Sequence, residues 1–283
     1  MQNIRDCYTL SNGVAIPCVG FGTWKTPDGD VAVNSVKAAL QAGYRHIDTA
    51  SGYDNERSVG RAVRESGLKR QDVFITSKLG NPDQGYDKTC LAFEKTLKEL
   101  GTDYLDLYLI HWPIPFGHKE DYVTLNRETW KAFEEFYTAG RIRAIGVSNF
   151  QPLHLEQLLD AAQVAPMVNQ IEFHPGFTQP ETVAYCQAHN ILVEAWSPLG
   201  NGSIFQVPEA QALAEKYGKT VAQIALRFCV QQGVLPLPKS TTPARIQENA
   251  EVFDFELSDS DLATLAAMTA CGDSGLYVDS ITW

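Results

Sequence analysis

Four polar side chains in this sequence are of the types that a proton transfer needs. Asp48 and Tyr53 stand five residues apart in "DTASGYDNE", Lys78 ends "FITSK", and His111 follows the apolar run "LDLYLI". A tyrosine hydroxyl titrates at about pH 10 in water, and a neighbouring ammonium lowers its pKa by stabilising the phenolate. We predict that Lys78 and Asp48 tune Tyr53 as a proton donor. A neutral His111 could then orient a bound carbonyl oxygen.

Each of these residues also has a purely structural explanation. Asp48 could cap its own loop, Lys78 could be a solvated strand end, His111 could be a buried histidine with satisfied hydrogen bonds, and Tyr53 could be a packing residue. What favours chemistry is their predicted position, because all four follow short apolar runs and would meet at one end of a sheet.

The elements that must position these residues follow a regular order. Eight short apolar runs, from "CVGFG" to "VLPLPKS", alternate with eight helical segments. The runs lack strict polar alternation, as is typical of parallel strands buried on both faces. The pattern predicts right-handed βαβ units that close into a (β/α)8 TIM barrel of the α/β class, with an open doubly wound sheet as the alternative.

The chain ends add smaller elements to the predicted barrel. Residues 7–17 predict an N-terminal hairpin, in which the Asn12-Gly13 pair suits a type I′ turn. The segment "LSDSDLATLAAMT" predicts an additional C-terminal helix, and residues 269–283 form a tail. No linker or repeat divides the chain, so we expect residues 1–283 to be a single domain.

Composition limits the possible partners. The net charge of −11 argues against nucleic acid. The six cysteines form no Cys-x-x-Cys pair, which predicts a reducing compartment. Neither an apolar signal core nor a run of about 18 apolar residues is present. We therefore expect a cytoplasmic protein without a membrane partner.

Other chemistries have weaker support in the sequence. No His-Glu-x-x-His or other close histidine pairing predicts a metal site. A serine hydrolase would need Gly-x-Ser-x-Gly, and "GVSNF" lacks the second glycine. Glu172 and Glu194 lie inside predicted strands, where they could be buried and paired; they leave glycoside hydrolysis as a minor alternative.

Several motifs in a fixed order resemble the aldo-keto reductase family over nearly the whole chain. They are "GFGTW", "GYRHIDTASGYDNE", "FITSKL", "DLYLIHWP", "GRIRAIGVSNF", "NQIEFHP", "VEAWSPLG" and "LPKSTTPARIQEN". The chain looks most similar to the bacterial branch that includes 2,5-diketo-gluconate reductases. The resemblance implies NADPH-dependent reduction of aldehydes or ketones by a monomer, with a catalytic tetrad of Asp48, Tyr53, Lys78 and His111. A non-catalytic NADPH-binding or interaction protein on the same barrel is the alternative.

The resemblance also implies a cofactor site for NADPH/NADP+ without a Rossmann fold, in agreement with the absence of Gly-x-Gly-x-x-Gly. Ser148, Asn149 and Gln170 would hold the nicotinamide carboxamide, and Trp196 would stack on the ring. The full set of expected cofactor residues is Gly22, Thr23, Trp24, Asp48, Ser148, Asn149, Gln170, Trp196, Ser197, Leu199, Gly200, Lys239, Ser240, Thr241, Arg245, Glu248 and Asn249. Expected substrate contacts are Trp24, Tyr53, His111 and Trp112, with Trp283 of the tail as a further wall.

Two features of the sequence bear on specificity, one for the cofactor and one for the substrate. Lys239 and Arg245, near the start of a predicted helix, suit a 2′-phosphate and predict a preference for NADPH over NADH. Gly80 in "SKLGN" replaces the tryptophan of the family pattern "SKLWN", so we expect a roomier or more mobile loop after the third strand. An unchanged substrate profile after Gly80→Trp would contradict that hypothesis.

Overall fold

An antiparallel hairpin of β1 (Cys7–Thr9) and β2 (Ala15–Pro17) begins the chain in the computed structural model, which describes residues 1–278. The Leu10 amide donates to the Val14 carbonyl, and the Gly13 amide donates to the Leu10 carbonyl. Gly13 has a φ of 85°, whereas Asn12 is not in the left-handed region. The predicted hairpin is correct but the type I′ turn is wrong, because these bonds define a three-residue loop that needs a single left-handed residue.

The predicted apolar runs form eight consecutive strands, each pairing in parallel with the next. The strands are β3 (Phe21–Gly22), β4 (His46–Asp48), β5 (Phe74–Leu79), β6 (Leu105–Ile110), β7 (Ile142–Ser148), β8 (Val168–Glu172), β9 (Leu192–Trp196) and β10 (Leu235–Pro236). Nearly all their residues are buried, so the missing alternation in sequence reflects contact with protein on both faces.

The first and last strands of this sheet also meet. The Gly20 amide donates to the Pro236 carbonyl at 3.0 Å, and the Gly22 amide donates to the Pro238 carbonyl at 3.0 Å. A Cβ at Gly20 would lie 2.5 Å from Leu237 and 2.6 Å from the His46 ring, so only glycine permits this approach. The sheet is therefore a closed barrel, and the open-sheet alternative is wrong.

Ten helices complete the described fold. They are α1 (Asp30–Gln41), α2 (Glu56–Glu65), α3 (Tyr86–Leu100), α4 (Tyr122–Thr138), α5 (Pro152–Leu159), α6 (Pro180–Ala188), α7 (Pro208–Tyr217), α8 (Val221–Gln231), α9 (Pro243–Ala250) and α10 (Asp259–Ala267). Eight of them connect or follow the strands, while α7 and α10 are the additional helical pieces that the sequence predicts. In α1, the buried residues Val33, Val36 and Leu40 lie on one side of the helix and join the core. No helix within residues 1–278 is both long and apolar enough to cross a membrane.

Candidate active site

A cavity of about 890 Å³ opens at the carboxyl ends of the barrel strands. All eight strands or the residues directly after them contribute to its wall, as the barrel geometry requires of parallel strands that point the same way. One contributor from each strand, in order, is Gly22, Asp48, Gly80, His111, Ser148, Gln170, Trp196 and Leu237. The cavity volume lies in the range typical of small-molecule sites.

Lys78 is fully buried beside this cavity and makes four polar contacts. Its Nζ lies 2.7 Å and 2.8 Å from the two carboxylate oxygens of Asp48, 2.9 Å from the Thr49 carbonyl and 3.2 Å from Tyr53 Oη. Asp48 pairs with Thr76 in the sheet register. Because alternate residues of a strand share a face, Lys78 projects on the same side as Thr76 and reaches Asp48. The structural alternative of a solvated lysine is wrong.

A short 3₁₀ turn, Ser51–Tyr53, places Tyr53 next to Lys78. Asn55 fastens the loop that carries it: its Oδ1 accepts from the Thr49 hydroxyl at 2.8 Å, and its Nδ2 donates to the Thr23 carbonyl at 3.0 Å. The Thr23 hydroxyl donates to the Asp48 carbonyl at 2.9 Å. The five-residue spacing of Asp48 and Tyr53 therefore lets both side chains reach one ammonium.

The electrostatics of the cluster differ in part from the prediction. Burial raises the pKa of the Tyr53 phenol above its usual value, and the Lys78 ammonium opposes that rise without reversing it. Burial lowers the pKa of Lys78, but Asp48 and Tyr53 more than offset this, so its net pKa is raised. Without cofactor, Tyr53 thus keeps its proton at neutral pH and Lys78 keeps its charge. The predicted net lowering of the Tyr53 pKa is wrong.

His111 faces Tyr53 edge-on, with ring centroids 5.7 Å apart. Burial, followed by the nearby Lys78 charge, lowers the pKa of His111 to about 3. Its backbone carbonyl accepts from Asn149 Nδ2 at 3.0 Å, which ties the end of β6 to the end of β7. The imidazole is therefore neutral at physiological pH, as the sequence predicts.

The opposite wall consists of polar residues that hold one another. Asn149 Oδ1 accepts from the Trp196 indole at 2.8 Å, and the Ser148 hydroxyl donates to the Gln170 carbonyl at 2.8 Å. Asn149 and Ser197 have φ values of 64° and 48°, a region that costs energy for residues other than glycine. These bonds fix the wall before any ligand arrives.

The far end of the same cavity lies beside the start of α9. Lys239, Ser240, Arg245, Glu248 and Asn249 all line it. Lys239 and Arg245 are exposed, and no carboxylate within residues 1–278 forms an ion pair with either. A chain with a net charge of −11 thus presents two unneutralised cations at one end of its pocket, which is the donor set that a phosphate group requires.

Comparison with known proteins agrees with this geometry. The sequence profile of the "Aldo/keto reductase family" matches residues 18–270. The glyoxal reductase of Bacillus subtilis is 50% identical over 266 residues, which cover 94% of each chain. An aldo/keto reductase from Brucella melitensis, 48% identical, superposes with a TM-score of 0.86 over 92% of this chain and 98% of the other. A Bombyx mori aldo-keto reductase in complex with NADP, 37% identical, superposes with a TM-score of 0.84 over 94% and 92% of the two chains.

The chain belongs to the aldo/keto reductase family. Its relatives are oxidoreductases, so neither a hydrolase nor a non-catalytic binding protein is favoured. The finer resemblance to the branch of 2,5-diketo-gluconate reductases stays a prediction.

Three expected cofactor residues of this aldo/keto reductase do not line the cavity: Thr23, Gly200 and Thr241. Thr23 is buried in the loop network around Asn55, and Thr241 is exposed. Gly200 is buried against Cys271 and Ser203, each of which would lie 2.7 Å from a Cβ there. Their motifs are correctly placed, but neighbouring residues face the cavity instead.

Other lining residues were not predicted from the sequence. They are Lys25, Gly52, Asn81, Pro82, Pro198, Asn201, Gly202, Phe205, Ala222, Leu237, Pro238 and Leu276. The "GNGSIF" loop after β9 carried a visible signal, since its Asn and Gly residues favour left-handed backbone, and Asn201 and Gly202 adopt it. Leu276 comes from the tail, whose path no local pattern indicates. Trp283, the predicted tail wall, lies outside the described residues.

The remaining predicted positions are also placed. Trp24 and Trp112 line the cavity, and Gly80 faces it, where a Cβ would lie 3.2 Å from both Asp83 and Ser51. Glu172 accepts from the Ser274 amide and hydroxyl, whereas Glu194 accepts from Gln170. Both glutamates are buried, but they bind different partners rather than each other.

Proposed function

We propose that this aldo/keto reductase reduces small aldehydes and ketones with NADPH and that Tyr53 donates the proton. The observation that carries the proposal is the contact of Lys78 Nζ with both Asp48 oxygens and with Tyr53 Oη at the floor of the cavity. A buried ammonium that contacts both a carboxylate and a phenol at the wall of a cavity is typical of sites that transfer protons.

The residues fit the cofactor. NADPH, when bound, supplies a hydride from nicotinamide C4. Trp196 and the polar wall of Ser148, Asn149 and Gln170 would hold the nicotinamide, and the end lined by Lys239 and Arg245 would hold the 2′-phosphate. This assignment rests on the continuity of one cavity between the two groups of residues.

The proton step follows from the electrostatics. Tyr53 keeps its proton until negative charge develops on the carbonyl oxygen, because burial raises the pKa of the phenol. Once the proton is transferred, the charge of Lys78 stabilises the phenolate, and Asp48 keeps that lysine protonated. His111, held neutral, can donate or accept one hydrogen bond and so orients the carbonyl oxygen without contributing a charge.

The residues of the cavity wall indicate which class of carbonyl compound the cavity suits. Trp24, Trp112 and Pro82 give it apolar surfaces, which suit small aliphatic or aromatic carbonyl compounds. The Bacillus relative is named for glyoxal reduction, so a small dicarbonyl is the first compound to assay. We further propose a monomeric, cytoplasmic enzyme whose residues 1–283 form one domain.

Tyr53→Phe tests the proton donor. It removes one hydroxyl and keeps the ring packed against His111, so kcat should fall by about 10²–10⁴-fold while the Kd for NADPH stays nearly unchanged. NADPH absorbance gives the rate with a carbonyl panel, and tryptophan fluorescence gives the Kd. A variant that keeps more than a tenth of wild-type kcat would refute the role of Tyr53.

Arg245→Ala tests the cofactor end. Loss of one charge-assisted hydrogen bond should weaken NADPH about tenfold or more while leaving NADH within about twofold. Arg127→Ala is the matched control, because Arg127 is an exposed arginine of α4 that does not line the cavity. Equal losses for the two cofactors would contradict the assignment of the 2′-phosphate.

A further inference from the structure

A second buried carboxyl group is linked to the Asp48–Lys78 pair through the side chain of Gln170. Glu194 of β9 is fully buried and stands directly beside Gln170 of β8 in the sheet register. Gln170 Nε2 donates to Glu194 Oε2 at 2.8 Å and to Asp48 Oδ2 at 2.9 Å. One amide nitrogen therefore bridges the carboxylate that holds Lys78 and a carboxyl group that lies deeper in the barrel.

This bridge determines the direction of the Gln170 amide. An amide nitrogen has two protons, and Asp48 and Glu194 take one each. The amide oxygen is then the group that Gln170 can offer to the cavity that it lines. If the amide were reversed, its oxygen would face the Asp48 carboxylate, which has no proton to donate, and the bond to Asp48 would be lost.

The charges around Glu194 explain how the chain tolerates it. Burial, followed by the nearby charge of Asp48, raises the pKa of Glu194 to about 8, while Gln170 and Lys78 oppose that rise. His46 Nε2 lies 3.9 Å from Glu194 Oε1, but burial lowers the pKa of His46 to about 3, so it supplies no counter-charge. Glu194 is therefore a neutral acid at pH 7. It accepts a hydrogen bond from the Gln170 amide without adding a second negative charge near Asp48.

We propose that Glu194 is a positioning residue for the reaction: it fixes the Gln170 amide so that its oxygen faces the cofactor and its nitrogen supports Asp48. Glu194 itself does not reach the cavity wall. The inference rests on the proposed function, since the cofactor is the group that Gln170 would meet. It assigns a role to a buried residue two positions before Trp196 that would otherwise count as barrel packing.

A pair of variants separates orientation from packing. Glu194→Leu removes one of the two acceptors of Gln170 Nε2 and leaves Asp48 as the other, so the amide is held less firmly. We expect the Kd and KM for NADPH to rise about tenfold while kcat changes less than about threefold. Glu194→Gln keeps an amide oxygen for Gln170 Nε2 and should bind NADPH within about twofold of wild type. Rescue by the glutamine variant distinguishes hydrogen-bond positioning from a requirement for the acid. Equal losses in the two variants, or wild-type affinity in Glu194→Leu, would overturn the proposal.

A double-mutant cycle keeps the test decisive if Glu194→Leu alone folds poorly. Gln170→Leu with Glu194→Leu replaces both partners by apolar groups, which is better tolerated than leaving one partner buried alone. If Glu194 acts through Gln170, the double variant binds NADPH as Gln170→Leu does; a further loss of more than about threefold would refute it. Because NADPH affinity is read by fluorescence, these results do not depend on turnover. Failure of the proposed function would appear separately, as wild-type protein that binds NADPH and reduces no carbonyl compound.

Discussion

The two ends of the barrel each contain a buried aspartate with a cation. At the amino end of the strands, Asp106 accepts from Arg70 at 2.8 Å, from Arg143 at 2.6 Å and from the Ile75 amide at 2.9 Å. At the carboxyl end, Lys78 is the one cation within residues 1–278 that pairs with Asp48. The arginines keep partial contact with water, whereas Lys78 has none.

The two ion pairs differ in whether the cation also contacts a polar group that faces the cavity. Asp106 accepts hydrogen bonds from two arginines and one backbone amide, and it thereby joins the amino ends of β5, β6 and β7. The ammonium of Lys78 has Tyr53 Oη as a further neighbour, and that phenol faces an open cavity. The same kind of ion pair thus joins strands at one end and, in the function that we propose, supports a proton donor at the other.

The largest expected effect is at the carboxyl end. Lys78→Met should lower kcat by about 10³-fold, because the phenolate loses its stabilising charge. It also leaves Asp48 buried without a cation, so stability should fall as well. Asp48→Asn with Lys78→Met should recover the stability but not kcat. If Lys78→Met alone kept more than a tenth of wild-type kcat, the proposed difference in role between the two ion pairs would be wrong.

At the amino end we expect the reverse result. Asp106→Ala leaves two arginines without their shared carboxylate and should lower the free energy of unfolding by about 3–5 kcal/mol. The kcat of the folded fraction should remain within about twofold of wild type. Urea denaturation gives the first quantity and NADPH oxidation the second. A loss of kcat at unchanged stability would show that this end also takes part in catalysis.

The smallest effect is expected at a buried carboxyl group that forms no ion pair with any residue in 1–278. Glu56, buried between α2, β5 and α3, accepts from the Ser77 hydroxyl at 2.6 Å. Burial raises the pKa of Glu56 to about 7 from its ordinary value of 4.5. Ionisation is thus harder in the folded state, so the wild type should lose about 2 kcal/mol of stability as pH rises from about 5 to about 8.

Glu56→Gln should remove that part of the pH dependence, because the amide oxygen can still accept from the Ser77 hydroxyl and the amide does not titrate. Denaturation midpoints at the two pH values measure it. Parallel curves for wild type and variant would contradict the assigned cause.

The sequence predicts the barrel well because strands and helices here carry distinct local patterns. The alternation of apolar runs and helices indicates the fold, and the strand-end rule indicates which residues meet. Lys78 shows the limit: its sequence position gives the correct end of the strand but not its complete burial. Burial depends on how eight strands close, and no single segment specifies that.

The errors have the same origin. The Tyr53 pKa depends on a balance between dehydration and one charge, and sequence reasoning counted only the charge. Thr23 and Gly200 lie in motifs whose neighbouring residues line the cavity, and their own contacts with the cofactor stay predictions. Glu194 was expected as a paired buried carboxyl, and its actual partner, Gln170, required knowledge of the β8–β9 register.

Closure of the barrel through Gly20 and Pro236 has a consequence for the order of folding. Strand β3, which follows the hairpin, pairs with a segment more than two hundred residues later in the chain. Contacts between such distant segments slow folding, because a long loop must close first. Gly22 and Lys239 lie on either side of that seam and both line the cavity. During synthesis the cofactor end of the pocket therefore cannot form until the last strand has left the ribosome, and a cofactor bound there would fasten the earliest and the latest parts of the barrel together.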